Sequence, residues 1–166
     1  MTIAIPLLLV SPALWNGYPL LQYDTGGYLA RWYEGYLVLA RSTVYGLFLH
    51  LGEGLHFWPN VLLQSVATVW VIGLVVRCLR LAGGQMLVLA IVAGLSVATS
   101  LPWLASVLIT DIFAGVGILA LYLLVLHRPT LGPVERTGLT LLVAFAVASH
   151  SATLATLLGL VVATAL

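Results

Sequence analysis

The chain has 166 residues, of which 62% are hydrophobic and 7% charged, with a mean hydropathy of +1.15. A soluble domain carries roughly a quarter charged residues, so this composition excludes one. Six arginines, no lysine and five acids leave a net charge of +1 and no basic field for nucleic acid, and the single Cys78 excludes a disulfide framework. The apolar runs exceed the ~10-residue strands of a membrane barrel, which points to a helical integral membrane protein.

Counted against the roughly 20 residues that cross a bilayer, five segments qualify. Ile3–Leu21 is broken by Pro6 and Pro12 and ends among Trp15, Tyr18 and Tyr23, aromatic types that favour the interface. It lacks a basic n-region, so it does not read as a cleaved signal peptide. Pro59–Leu81 is entered through His56-Phe57-Trp58 and closed by Arg77 and Arg80. Gln85–Leu101 is short and rich in Gly, Ala and Ser, which suits close helix packing. Pro102–Leu126 contains Asp111, and Gly138–Leu166 contains His150. Arg77, Arg80, Arg128 and Arg136 fall on one side of this arrangement, and the positive-inside rule makes that side cytoplasmic. Residues 23–58 and the Thr99–Trp103 connection are then extracytoplasmic. The expected fold is an all-α polytopic membrane bundle, one domain over residues 1–166.

Residues 23–58 are too rich in Tyr, Trp and Leu for a solvated loop. At helical period Tyr28, Leu29, Trp32, Tyr33, Tyr36, Leu37 and Ala40 share one face, and Arg31, Glu34 and Arg41 lie opposite. This predicts an amphipathic helix in the membrane plane, capped by Asp24 or Thr25. Arg41-Ser42-Thr43 interrupts the pattern, and Val44–Leu51 predicts a second short helix before Gly52-Glu53-Gly54. The plainer reading makes both helices a simple connection between spans.

A carboxylate inside a span costs roughly 2.5 to 3.5 kcal/mol on insertion scales, so Asp111 needs a compensating role. If the helix proper begins near Asp111, the preceding Pro102–Thr110 piece is re-entrant and Asp111 sits at the floor of an extracytoplasmic cavity. The alternative is a helix cap or the partner of a buried arginine. Asp24 directly follows the first span and emerges on the same face, so the two carboxylates are expected to line one cavity, with Gly26-Gly27 allowing another group to come close. His150 falls within the fifth span, as a core histidine or a functional one. Arg41, in the break between the loop helices, is the better phosphate ligand. Arg31 is expected to pair with Glu34 at i, i+3, and His50 and His56 to mark the interface. No phosphate-binding glycine loop, nucleophile elbow or zinc motif is present.

Tyr23-Asp24-Thr25-Gly26-Gly27-Tyr28 after the first span, Arg41-Ser42-Thr43-Val44-Tyr45-Gly46 between the loop helices, and Pro102-Trp103 to Asp111 after the third span together resemble the GT-C class of membrane glycosyltransferases. That resemblance implies a sugar moved from a polyprenyl-phosphate-linked donor to an acceptor on the extracytoplasmic face of the inner membrane. It implies Asp24 as base, Arg41 as ligand of the donor phosphate and Asp111 as a second site carboxylate, with Tyr28, Tyr45 and His150 as further substrate-binding candidates. A divalent cation requirement is left open. Such enzymes usually have more spans, so the chain is expected to be an N-terminal piece completed by further helices or subunits. Two other classes compete. A transporter or lipid flippase would use Asp111 and His150 as a relay across the membrane, and a non-catalytic membrane subunit would depend on neither aspartate.

Overall fold

The computed structural model describes residues 3–165, and among these the secondary structure is helical throughout. The first apolar run is two short helices, α1 (Ala4–Leu9) and α2 (Ser11–Asn16), and not one span. Pro12 sits in the first turn of α2, where its missing N–H goes unneeded, and Gly17 closes that helix in the left-handed region at φ 75°. The extended segment that follows pairs with a later one: Leu20 N–H donates to Ser106 O and Leu108 N–H to Leu20 O, both at 2.9 Å.

The first loop helix, α3 (Tyr23–Tyr33), starts earlier and stops sooner than its hydrophobic pattern predicts. Gln22 is the N-cap, its N–H donating to Thr25 Oγ1 at 3.0 Å, so Thr25 caps from inside the first turn and Asp24 is a first-turn residue. Gly35 takes φ 76° just past the end, and Ala40 takes φ 62°. The backbone reverses there, which removes Tyr36, Leu37 and Ala40 from the helical face the sequence assigned them. The second loop helix, α4 (Thr43–Gly52), is capped by Ser42, whose Oγ accepts from Tyr45 N–H at 3.2 Å.

Five longer helices follow, α5 (Trp58–Cys78), α6 (Gly84–Ala98), α8 (Asp111–Leu126), α9 (Pro133–Ser149) and α10 (Ser151–Ala165), with the short α7 (Leu101–Ser106) ahead of α8. Among the described residues only α5, at 21 residues, is long and apolar enough to cross a membrane. At 1.5 Å per residue it reaches about 31 Å, whereas the 15 to 17 residues of α6, α8 and α9 reach about 22 to 26 Å. The two later apolar runs are each divided. Residues 107–110 separate α7 from α8, and His150 is extended backbone (φ −152°, ψ 123°) between α9 and α10, not a position within a helix.

Glycines allow close helix approaches around α8 and α9. A Cβ on Gly117 of α8 would stand 2.9 Å from the Ala146 Cβ of α9, and one on Gly138 of α9 would stand 2.9 Å from the Trp70 ring of α5. Phe113 and Phe145 meet edge to face at 4.8 Å, so α9 folds back along α8 and brings its end to the start of α8. Arg77, at the end of α5, donates two hydrogen bonds to Glu135 in the first turn of α9, at 2.6 and 2.7 Å. The bundle therefore has two charged ends. One holds Asp24, Arg41, Asp111 and His150; the other holds Arg77, Arg80, Arg128, Glu135 and Arg136. No charged residue lies within α5, α6, α8 or α9 between them.

Candidate functional site

The site end is organised by the non-helical backbone before Asp111. Leaving the helix frees consecutive carbonyls, and each buried one needs a donor. Gln64 of α5 donates through Nε2 to Ala105 O at 2.8 Å and Val107 O at 3.0 Å. Leu20 N–H serves Ser106 O, Thr25 Oγ1 donates to Leu108 O at 2.9 Å, and the Tyr45 hydroxyl donates to Ile109 O at 2.9 Å. Tyr28 adds a hydroxyl contact to Thr110 Oγ1 at 3.4 Å. Side chains of α3, α4 and α5 thus converge on one short turn and fix where α8 begins. Asp111 is the first residue of α8, solvent-exposed, at the positive end of the helix dipole.

Asp24 and Arg41 form an ion pair, Arg41 Nη2 donating to Asp24 Oδ1. The arginine side chain lies across Gly27: a Cβ there would stand 3.1 Å from Arg41 Cγ and 3.3 Å from its Nε. Its guanidinium carbon is 5.7 Å from the centre of the Tyr28 ring, which supplies a cation–π shelf. The pair lines a cavity of about 540 Å³ with Gly26, Ala30, Glu34 and Tyr36, and stays partly open, with side chains 28% (Arg41) and 39% (Asp24) exposed. Asp111 lines another cavity, of about 330 Å³, with Thr68, Leu95, Thr99 and Leu104, and the two cavities share no lining residue. The sequence reading expected both carboxylates in one cavity; the structure brings Asp24 to Arg41 and gives Asp111 a cavity of its own at the same end of the bundle.

The other candidates divide similarly. Tyr45 is fully buried with its hydroxyl spent on Ile109 O, and Tyr28 is nearly so, packed edge-on against Tyr45 at 4.9 Å. Both shape the site from beneath. His150 is half-buried at the end of α9, and Ser42, next to Arg41, donates to Ala148 O at 2.7 Å, so the break holding Arg41 rests on the break holding His150. Ser149 Oγ and Thr153 Oγ1 beside it are buried without a hydrogen-bond partner among the described residues. Arg31 lies over the Trp32 ring at 5.9 Å and forms no ion pair with Glu34 among the described residues.

Sequence reasoning missed two groups. Asn60, Gln64 and Thr68 stand at i, i+4, i+8 in an otherwise apolar helix, a polar stripe that marks the face turned toward the site. His50 stacks on Trp32 (4.7 Å, 5° between planes) and contacts Glu53 at 2.8 Å through Nδ1. The Tyr33 hydroxyl bonded to Glu53 holds that carboxylate below its usual range, and the same bond pushes the Tyr33 phenol up to about 12. Among the described residues no cluster of three or more His, Cys, Asp or Glu is arranged to hold a metal ion. No protein-family model, no curated protein and no solved structure matches this chain.

Proposed function

We propose that the protein is a polytopic membrane glycosyltransferase of the GT-C type, using a polyprenyl-phosphate-linked sugar donor at the end of the bundle that holds Asp24. The observation that carries this reading is the Asp24–Arg41 pair: a carboxylate and a guanidinium meet in one open cavity although they stand 17 positions apart in the chain. Glycosyl transfer from a lipid phosphate needs a base for the acceptor hydroxyl and a cation for the departing phosphate. Arg41 engages Asp24 Oδ1, which leaves Oδ2 for the acceptor proton. The acceptor oxygen attacks the anomeric carbon, the bond from that carbon to the phosphate oxygen breaks, the proton passes to Asp24 and the phosphate leaves on Arg41.

Membrane insertion as a bundle is supported by the outer surface. Leu63 is 57% exposed, Leu141 65% and Met86 72%, so α5, α6 and α9 present apolar side chains outward as well as inward. Helices apolar all round belong in lipid or in a large core. The small-residue helix α6 lines the Asp111 cavity through Leu95, which gives a polyprenyl tail an apolar path beside the site. On this reading the Asp24 end is extracytoplasmic and the Arg77 end cytoplasmic. The transporter reading needs a relay across the membrane, yet Asp111 and His150 lie at the same end and the middle of α5, α6, α8 and α9 is uncharged.

The test is sugar transfer from a radiolabelled polyprenyl-phosphate sugar by membranes carrying the variants. Asp24→Asn is expected to slow transfer by roughly 10²- to 10⁴-fold, the usual worth of a general base, with normal insertion. Arg41→Ala is expected to weaken donor binding as well as slow departure of the phosphate. Full activity in Asp24→Asn would remove the reading.

A further inference from the structure

At the opposite end of the bundle a cavity of about 610 Å³ opens between α1, α5, α6 and α9. Ile5, Val69, Leu74 and Val88 give it apolar walls, and Arg77, Arg80 and Glu135 stand among its polar lining. Arg77 and Glu135 neutralise each other through their paired hydrogen bonds. Arg80 has no ion-pair partner among the described residues, and its backbone is held in the left-handed region at φ 54°, where a residue other than glycine is strained. The cavity therefore carries one uncompensated positive charge beside apolar walls.

Its wall also includes a glycine. Gly73 sits in the middle of α5, where glycine weakens a helix. At Gly117 and Gly138 the glycine admits a neighbouring side chain, but a Cβ on Gly73 would meet nothing within 4 Å, as at Gly94 and Gly115, and of these three Gly73 is the one that lines this cavity. The protein itself makes no use of the space that glycine leaves.

We propose that this cavity binds an anionic phospholipid, with Arg80 on the headgroup phosphate and an acyl chain lying against Gly73. The apolar walls select a lipid over free phosphate, and the unpaired charge selects a net-negative headgroup over a zwitterionic one. The inference rests on the membrane-bundle part of the reading above and is independent of glycosyl transfer.

The experiment is native mass spectrometry of the detergent-purified chain titrated with phosphatidylglycerol or phosphatidylcholine, paired with flotation on phosphatidylcholine vesicles. One phosphatidylglycerol is expected to bind roughly fivefold more tightly than phosphatidylcholine, the worth of one basic residue at an anionic surface. Arg80→Gln should erase that preference. Gly73→Leu, whose added side chain enters the open space, should lose the bound lipid without lowering the melting temperature. Equal binding of the two lipids by the unaltered chain, a preference that survives Arg80→Gln, or equally tight binding of glycerol phosphate would each overturn the proposal. A chain that does not float with the vesicles defeats the membrane reading instead, and a chain that floats but shows no lipid preference defeats only the lipid site.

Discussion

Gly27 and Gly46 are both approached closely, and the consequences of adding a methyl group differ. At Gly46 a Cβ would stand 2.3 Å from the Tyr28 carbonyl oxygen, which is backbone and cannot step aside. Gly46→Ala is expected to cost about 1 to 3 kcal/mol through forced separation of α3 and α4, read as a lowered melting temperature. At Gly27 the neighbour is the flexible Arg41 side chain, so Gly27→Ala should leave stability nearly unchanged and displace the guanidinium from Asp24, a loss seen in activity. The sequence marked Gly26-Gly27 as a place of close approach, and Gly27 is that place, while Gly26 meets nothing within 4 Å. Gly46 carried no such mark, because its neighbour lies on another helix. A pH effect belongs at this scale too. Glu53 titrates below its usual range when folded, so its contribution to stability is present above the unfolded carboxylate value of about 4.3 and is lost as pH falls through the lower folded value. The protection factors of the α4 amides, corrected for the intrinsic slowing of exchange at lower pH, should fall on acidification in the unaltered protein, and Tyr33→Phe should reduce that pH dependence.

Among the elements, the 107–110 turn concentrates the most interactions on the fewest residues. Gln64 is its largest single support, and Gln64→Leu leaves Ala105 O and Val107 O without their donor. Each orphaned buried carbonyl costs about 1 to 3 kcal/mol, so this variant is expected to be among the most destabilised in α5, measured by thermal unfolding in detergent. The start of α8 at Asp111 was readable because a carboxylate is expensive within a span and Pro102 favours the first turn of a helix. The end of α3 was misread for an equally physical reason: Tyr36, Leu37 and Ala40 continue the 3.6-residue pattern, but Gly35 takes a left-handed conformation and stops the helix. A periodic pattern records which residues are apolar, not where the backbone turns. The break at His150 was invisible, since neither proline nor glycine stands between Leu139 and Thr156 to signal it.

At the scale of the molecule the decisive feature is the separation of charge into two ends across an uncharged middle. The arginine pattern assigned Arg77, Arg80, Arg128 and Arg136 to one side, and the structure gathers them at one end. What the pattern could not supply is the contact between Arg77 and Glu135, 58 residues apart, which ties α5 to α9. The sequence expected Asp24 and Asp111 in one cavity; each lines its own, and the turn that positions Asp111 is built from partners distant in sequence, which no local pattern shows. On the proposed topology, cysteines placed at positions 24 and 128 in a Cys78→Ala background should be labelled from opposite sides of the membrane by an impermeant maleimide. Labelling of both from one side would contradict it.

The turn before Asp111 also bears on how the chain assembles. Every side chain that donates to residues 105–109, together with the Leu20 amide, precedes them in sequence, so a chain emerging from the ribosome has made all of these donors before it makes the turn. Without them the segment has a competing structure, an unbroken helix over residues 101–126 that satisfies the same carbonyls by its own i→i+4 bonds. A synthetic peptide of those residues in micelles is expected to form that single helix, with the amides of residues 107–111 protected from exchange, and a break persisting in the peptide would show that local sequence alone imposes it. The position of Asp111 is in this sense conferred by the first 64 residues of the chain, and damage to Thr25, Tyr45 or Gln64 should return α7 and α8 toward the straight helix and move the carboxylate out of its cavity.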